Sequence, residues 1–286
     1  MWIALGVNVA MLVVEVVGGV LTGSLAVLAD AGHLLSDVGS LGLALFAVAL
    51  ASRPAAGRMT FGYQRSEILA ALVNGLLLVG VAVAIAIAAV GRLGDPPSVD
   101  GLGVLVLGLL GLLGNVVATL ILAGGDRVDV NLEGVMRHSA ADALGSLGVI
   151  VAGTVVLAGG PAAIDPLVSL LIAALILASS WRLIAEPVGV LMEAAPAGVD
   201  VDAAGAAICE EGGVRSVHDL HIWTVTSGFG ALAAHVVVAA GSDRDLVRRR
   251  IELLLRERFG IAHTTLQMEE EASAELLHVE NAAGDG

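Results

Sequence analysis

The sequence predicts an α-helical membrane protein with six transmembrane helices followed by a small α+β domain. Of the 286 residues, 57% are hydrophobic and 15% are charged, and the mean hydropathy is +0.92. This composition is too apolar for a soluble domain and is typical of a polytopic membrane protein. After Pro196 the long apolar runs stop and shorter patterned segments begin, which predicts a separate soluble domain.

Six apolar segments each approach the ~20 residues that a helix needs to cross the hydrocarbon core. They are Ile3–Leu21, Leu25–Ala51, Ile68–Gly91, Leu102–Ala123, Val135–Leu157 and Ile164–Ile184. The segments are rich in Gly, Ala, Leu and Val, and small residues allow membrane helices to pack closely.

Arginine is concentrated in two of the joins between these segments. The second join, Ser52–Arg65, contains three arginines, and the fourth contains Arg127 with Arg137 just beyond it. The positive-inside rule therefore places both joins in the cytoplasm. Because the number of spans is even, both termini are also predicted to be cytoplasmic, in a multi-pass protein of the cell membrane.

The polar part of the chain has the pattern of a small α+β domain. The predicted helices and strands are, in order, Val199–Glu211, Arg215–Thr226, Ala231–Ala240, Asp243–Phe259 and Thr264–Glu270. We therefore predict a membrane domain over 1–194, a soluble domain over 195–271 and a disordered tail over 272–286. The net charge is −14, and from Pro196 onward 15 acidic residues oppose 7 arginines, so nucleic acid is not an expected partner.

Two histidine–aspartate pairs lie inside apolar segments. His33 and Asp37, and likewise His138 and Asp142, are four residues apart, which places each pair on one helix face. Together they offer two nitrogens and two oxygens, enough for a tetrahedral site for a divalent metal such as zinc. The alternative is that each pair forms a local hydrogen bond that stabilises packing. This alternative would be easier to accept for a single pair than for two equivalent pairs in separate helices.

Two further acids lie in the predicted spans. Asp30 precedes His33 by one turn on nearly the same face. It is an outer ligand, a partner that orients His33 or an acid near the helix N-terminus, and we favour the last two. Glu15 is either protonated and packed, exposed to a water path or a proton carrier, and the sequence does not choose among these roles.

The predicted soluble domain contains four histidines and a run of glutamates: His218, His221, His235, His263 and 269–271. A simple hairpin about Gly228-Phe229 places His235 opposite the region of His221 and Ile222. Antiparallel neighbours at that range can share a metal ion. The equally weighted alternative is a set of polar residues on a solvated sheet face.

Several motifs resemble those of the cation diffusion facilitator family of zinc transporters. The second span, Ser24-Leu-Ala-Val-Leu-Ala-Asp-Ala-Gly-His-Leu-Leu-Ser-Asp37, resembles the family's signature for that helix. Similar matches cover 60–74, 138–145, 165–172 and 217–223. The resemblance extends over almost the whole chain, to about Glu271.

The resemblance implies six spans, a ferredoxin-like cytoplasmic domain, a homodimer in membrane lipid, and exchange of cytoplasmic metal for protons. It assigns the transport site to His33, Asp37, His138 and Asp142. The family's cytoplasmic metal positions match His218, His235 and Glu269, with His221 as a further candidate ligand. The expected substrate is Zn²⁺, with Cd²⁺ second, and zinc is also a candidate regulator at the cytoplasmic positions.

Two other classes compete with a transporter. An intramembrane hydrolase or acyltransferase could use His and Asp as a base pair, but Ser36 and Ser139 fall on other helix faces than the pairs. We therefore do not expect an enzyme. A membrane metal sensor that binds without transporting fits the same residues, and only a transport assay separates it from a transporter.

Overall fold

The computed structural model describes the backbone of residues 2–123 and 132–270, and the side chains of residues 6, 8–117, 120 and 142–270. The chain divides into two compact units, Met1–Pro187 and Val188–Gly286. The predicted disordered tail, 272–286, lies outside the described residues.

Six long helices account for the described part of the first unit. They are α1 (Trp2–Thr22), α2 (Leu25–Ala51), α3 (Ser66–Leu93), α4 (Gly101–Ala123), α5 (Leu132–Leu157) and α6 (Ile164–Leu191). Each helix contains the whole of one predicted apolar segment. By length and apolarity, α2, α3 and α6 are able to cross a membrane. Within the described residues, the apolar stretches of α1, α4 and α5 are shorter: Asn8–Thr22, Gly101–Val117 and Asp142–Leu157.

The outer surface of this helical unit is strongly apolar. Large side chains such as Leu21, Phe46 and Ile87 are 67–79% exposed. Continuous apolar surface of this kind fits lipid rather than water. The interior is built from small and branched residues, including Ala26, Ala82 and Val104, which are fully buried.

Glycines bring α4 and α5 into close contact. A Cβ atom added at Gly153 would lie 2.5 Å from the backbone nitrogen of Leu105, and one at Gly101 would lie 2.5 Å from that of Leu157. Real side chains do not approach a backbone that closely, so both positions require glycine. The close approach agrees with the expectation from the small-residue composition.

The second unit has the predicted α-β-β-α-β order. Its elements are α7 (Val201–Cys209), β1 (Val214–Thr226), β2 (Phe229–Val238), α8 (Arg244–Phe259) and β3 (His263–Glu270). The sheet order is β1-β2-β3, with β1 antiparallel and β3 parallel to β2. Both predicted helices and all three predicted strands are confirmed, with ends that shift by up to two residues.

The sheet has one covered face and one open face. Alternate residues of β2, among them Leu232, Ala234 and Val236, are buried against the core residues Ile208 and Ile251 of the two helices. This is the period-2 alternation expected of an antiparallel pair with one solvated side. The residues between them, including His235, therefore lie on the open face.

The predicted pairing of His235 was wrong. His235 faces His218 across the hairpin, and His221 faces Ala233. The turn lies one residue earlier than expected, and a register shift between His218 and His221 moves the partner further. Asp219, within this bulge, has a φ of 51°, a left-handed conformation that Asp tolerates better than most residues.

Candidate metal centres

The N-terminal end of α2 is held by a side chain of α6. Ser24 caps α2 by accepting a hydrogen bond from the backbone N–H of Val27 at 3.2 Å. The buried Asp165 carboxylate accepts hydrogen bonds from the Ser24 hydroxyl and from the N–H groups of Leu25 (2.8 Å) and Ala26 (3.3 Å). These donors have no partner within their own helix. Asp165 therefore ties the start of α2 to α6.

Two turns further along α2, His33 meets two carboxylates. Its Nε2 lies 2.8 Å from Oδ1 of Asp142 on α5 and 4.0 Å from Oδ2 of Asp37 on its own helix. One ligand atom from each of the three residues lies within 4.8 Å of the others. All three side chains are largely buried, with exposures of 12–21%. The structure thus brings three of the four predicted membrane ligands together.

The fourth predicted ligand, His138, belongs to α5, but its side chain lies outside the described residues. Its position in the sequence is one turn before Asp142 on the same helix. Positions i and i+4 lie on one helix face, so the membership of His138 in this site remains a prediction from its spacing to Asp142.

Asp30 lies beside this group without being one of its members. It is 5% exposed, and its Oδ2 accepts a hydrogen bond from Ser146 of α5 at 3.2 Å. Asp30 and His33 both line a small cavity that Gly145 and Ser179 also line. Asp30 is in the second turn of α2, since no acid lies in the first turn, so the interpretation as a helix N-terminal acid was wrong. Its partner, Ser146, could not be predicted from the sequence, because the two residues belong to different helices.

A second group of possible ligands lies on the open face of the sheet. Glu269 of β3 bridges two histidines: its Oε2 lies 3.2 Å from Nε2 of His218, and its Oε1 lies 2.7 Å from Nδ1 of His235. The two imidazole centroids are 5.0 Å apart. The hydrogen bond from His218 is the largest cause that lowers the pKa of the Glu269 carboxyl. We call His218, His235 and Glu269 the sheet cluster.

His221 lies outside the sheet cluster. Its Nε2 is 3.0 Å from Oδ1 of Asp219, whose other carboxylate oxygen is 3.7 Å from Nε2 of His235. Asp219 therefore lies between His221 and the cluster, and its left-handed conformation places it there. The bulge is not visible in the strand pattern, so the residue opposite His235 could not be predicted from the sequence.

Both groups have the donor chemistry of a zinc site. Imidazole nitrogens and carboxylate oxygens are common zinc ligands, and a site with three protein ligands leaves room for a fourth. The sheet cluster is exposed, with side-chain exposures of 31–52%. The group formed by His33, Asp37 and Asp142 is more buried and combines ligands from α2 and α5.

Two family models match the chain and together cover most of it. The cation efflux transmembrane domain matches residues 1–192, and the cytoplasmic domain of cation efflux proteins matches residues 196–271. The chain therefore belongs to the cation efflux, or cation diffusion facilitator, family of multi-pass membrane transporters. The family resemblance seen in the sequence is confirmed.

Individual relatives agree with this assignment. The chain is 41% identical to a cadmium, cobalt and zinc/H⁺-K⁺ antiporter of Bacillus velezensis, over 90% of this chain and 84% of that protein. It is 38% identical to the zinc transporter ZitB of Escherichia coli, over 93% and 85% of the two chains. A solved structure, the metal-bound C-terminal domain of the CzcD transporter from Cuprividus metallidurans, is 38% identical over 25% of this chain and 99% of its own, with a TM-score of 0.24.

Proposed function

We propose that this protein exports Zn²⁺ from the cytoplasm in exchange for protons, with Cd²⁺ as a second substrate. One observation carries the proposal: His33, Asp37 and Asp142, from two apolar helices, converge to within 4.8 Å. Ionisable groups are costly inside a membrane and are rarely retained there without a function. The names of the relatives support zinc and cadmium as substrates.

The proposed transport site is His33, Asp37, His138 and Asp142, which bind one ion tetrahedrally. Two imidazoles and two carboxylates suit zinc better than manganese, which prefers an oxygen-only shell. Asp30 acts as a positioning residue, because it lies beside His33 and is fixed by Ser146 of α5. Residues of this kind shape a metal site without binding the ion.

Proton exchange follows from the ligand chemistry. Zinc binds neutral imidazole and ionised carboxylate, so an ion and the protons on its ligands exclude each other. The ordinary pKa of a histidine side chain is about 6.5. A site open to the cytoplasm binds zinc, and the same site open to a more acidic exterior takes up protons and releases it. Alternating access of the helices connects the two states.

We propose that all six helices span the cell membrane and that both termini face the cytoplasm, as the arginine-rich joins indicate. The domain limits are proposed at 1–194 and 195–271, the second domain being ferredoxin-like. Two copies form a homodimer, consistent with the match to the family's cytoplasmic domain.

The sheet cluster is proposed to bind a regulatory zinc ion. His218, His235 and Glu269 supply two nitrogens and a carboxylate, and His221 is kept as a further candidate through its contact with Asp219. Binding there would strengthen dimer contacts and couple cytoplasmic zinc to transport. Replacing His235 with alanine should then shift the zinc dependence of transport without changing the affinity of the membrane site. A zinc dependence equal to that of the parent would contradict this role.

Zinc flux in proteoliposomes tests the transport site. Vesicles that contain a zinc-sensitive dye are given a pH gradient, and initial uptake is compared among variants. His33→Ala, Asp37→Ala and Asp142→Ala should each lower the flux by at least about 100-fold, and Asp30→Ala by about tenfold, the scale of a lost supporting partner.

The matched control is Glu186→Gln, which alters an exposed carboxylate of the same helical unit and should transport zinc like the parent. Equal flux in the parent and Asp142→Ala would show that the site is assigned incorrectly. Zinc binding without any flux in the parent would favour a metal sensor instead.

A further inference from the structure

A group of buried oxygen ligands lies next to the proposed transport site, and the transport proposal does not use it. Glu15 of α1, Asp30 of α2 and Ser146 of α5 are at most 5% exposed. Ser146 donates a hydrogen bond to Asp30 and accepts one from Asn115 of α4, both at 3.2 Å. We call Glu15, Asp30, Asn115 and Ser146 the inner acidic cluster, to which four helices contribute.

The carboxyl group of Glu15 faces the other members of this cluster, but one of its oxygens has no hydrogen-bond partner among the described residues. A Cβ atom at Gly111 would lie 2.9 Å from Oε1 of Glu15, 3.3 Å from Oγ of Ser146 and 3.6 Å from Oδ2 of Asp30. All three oxygens therefore surround the space that the missing side chain leaves. The other oxygen of Glu15, Oε2, is buried without a hydrogen-bond partner among the described residues.

Two buried carboxylates this close cannot both be ionised at low cost. An ionised carboxylate that is taken out of water without a partner is strongly unfavourable, and a second negative charge nearby adds to the cost. A bound proton removes both penalties. Asp30 has a hydrogen-bond donor in Ser146, whereas the buried oxygen of Glu15 has none in the described part of the chain, so Glu15 is the favoured place for the proton.

We propose that Glu15 is a proton-binding site, separate from the metal ligands, whose proton is released when zinc occupies the transport site. This proposal rests on the proposed function. A divalent ion near His33 favours ionised carboxylates around it, so zinc lowers the affinity of Glu15 for its proton. By reciprocity, a proton on Glu15 lowers the affinity of the transport site for zinc by the same factor. The O–H bond of the acid breaks as zinc binds, and the proton leaves to water.

Few of the charged groups in the described part of the chain lie around Glu15. On α2, the ionisable groups that interact with it are Asp30 and His33. The other helix packed on α1 is α4, whose sequence contains no ionisable residue. Among the described residues that face Glu15, the metal site is therefore the main source of a changing positive charge.

The experiment counts the protons released per zinc ion. Zinc is titrated into the purified full-length protein by calorimetry in two buffers with different ionisation enthalpies. All proteins carry His235→Ala, so that the membrane site dominates the signal. Glu15→Gln should release about one proton fewer than the parent at a pH near 7, while Glu15→Asp, which keeps the acid, should restore most of the release. The control Glu186→Gln should release as many protons as the parent.

Infrared difference spectra give a second measurement that needs no Glu15 variant. The zinc-free parent should show the carbonyl band of a protonated carboxylic acid, and that band should disappear when zinc binds. An unchanged proton count in Glu15→Gln, or a folded parent without a zinc-sensitive band, would overturn the role of Glu15 while leaving the transport site intact. A parent that binds no zinc overturns this inference and the proposed function together.

Discussion

Replacing Asp165 with alanine should destabilise the helical unit more than any change of an exposed charge. The buried carboxylate of Asp165, which is 1% exposed, accepts hydrogen bonds from the Ser24 hydroxyl and from the N–H groups of Leu25 and Ala26. Each buried donor left without an acceptor costs about 1–3 kcal/mol. Because the Ser24 hydroxyl can rotate to another acceptor, the two backbone N–H groups carry the loss, which we expect to be about 2–6 kcal/mol in total. Asp165→Asn keeps one acceptor oxygen and should lose about half as much.

The assay is reversible unfolding in mixed micelles, followed by circular dichroism while the fraction of denaturing detergent is raised. Glu186→Ala is the control, because Glu186 lies on the same helix and forms an exposed ion pair with Arg182 that contributes at most about 1 kcal/mol. If Asp165→Ala and Glu186→Ala unfold at the same detergent fraction, Asp165 does not anchor the start of α2.

Two further predictions concern packing and pH. Gly153→Ala would place a Cβ 2.5 Å from the backbone of Leu105 and should lower the free energy of unfolding by about 1–3 kcal/mol in the same assay. The control is Gly80→Ala, whose Cβ would have nothing within 4 Å and which should leave stability unchanged or raise it. Equal losses of stability in the two variants would refute the close contact. For the sheet cluster, zinc affinity measured by dye competition in an Asp142→Ala background should fall as the pH is lowered, because protons compete with zinc for the imidazole nitrogens. The His218 hydrogen bond lowers the pKa of Glu269 from 4.5, so this carboxylate stays ionised down to about pH 5 and its contribution is lost only at more acidic pH. An affinity that stays constant down to pH 5 would show that the two histidines are not ligands.

The sequence predicts what depends on local periodicity. The i, i+4 spacing places His33 and Asp37 on one face of α2, and the alternation along β2 places His235 on the open face of the sheet. Both follow from the geometry of a single helix or strand, and no knowledge of the neighbouring elements was needed.

Contacts between elements were harder to predict. The role of Asp165 as a cap for α2 depends on two helices whose contacting residues are about 140 positions apart, and nothing in either segment indicates it. The partner of His235 depends on a bulge at Asp219, and a shift of one residue changes every cross-strand pair. The environment of Glu15 likewise depends on Gly111, a glycine that looks like any other in an apolar helix.

The transport site is tested most directly by the X-ray absorption spectrum of zinc bound to the full-length protein with the sheet cluster removed by His218→Ala and His235→Ala. A site of His33, Asp37, His138 and Asp142 should give four ligands at about 2.0–2.1 Å, two of them with the multiple scattering of imidazole and two of them oxygens. Asp142→Ala, which lacks one of the four ligands, should bind zinc much more weakly and should not give this spectrum. A spectrum without imidazole, or one that is unchanged by Asp142→Ala, would contradict the proposed site.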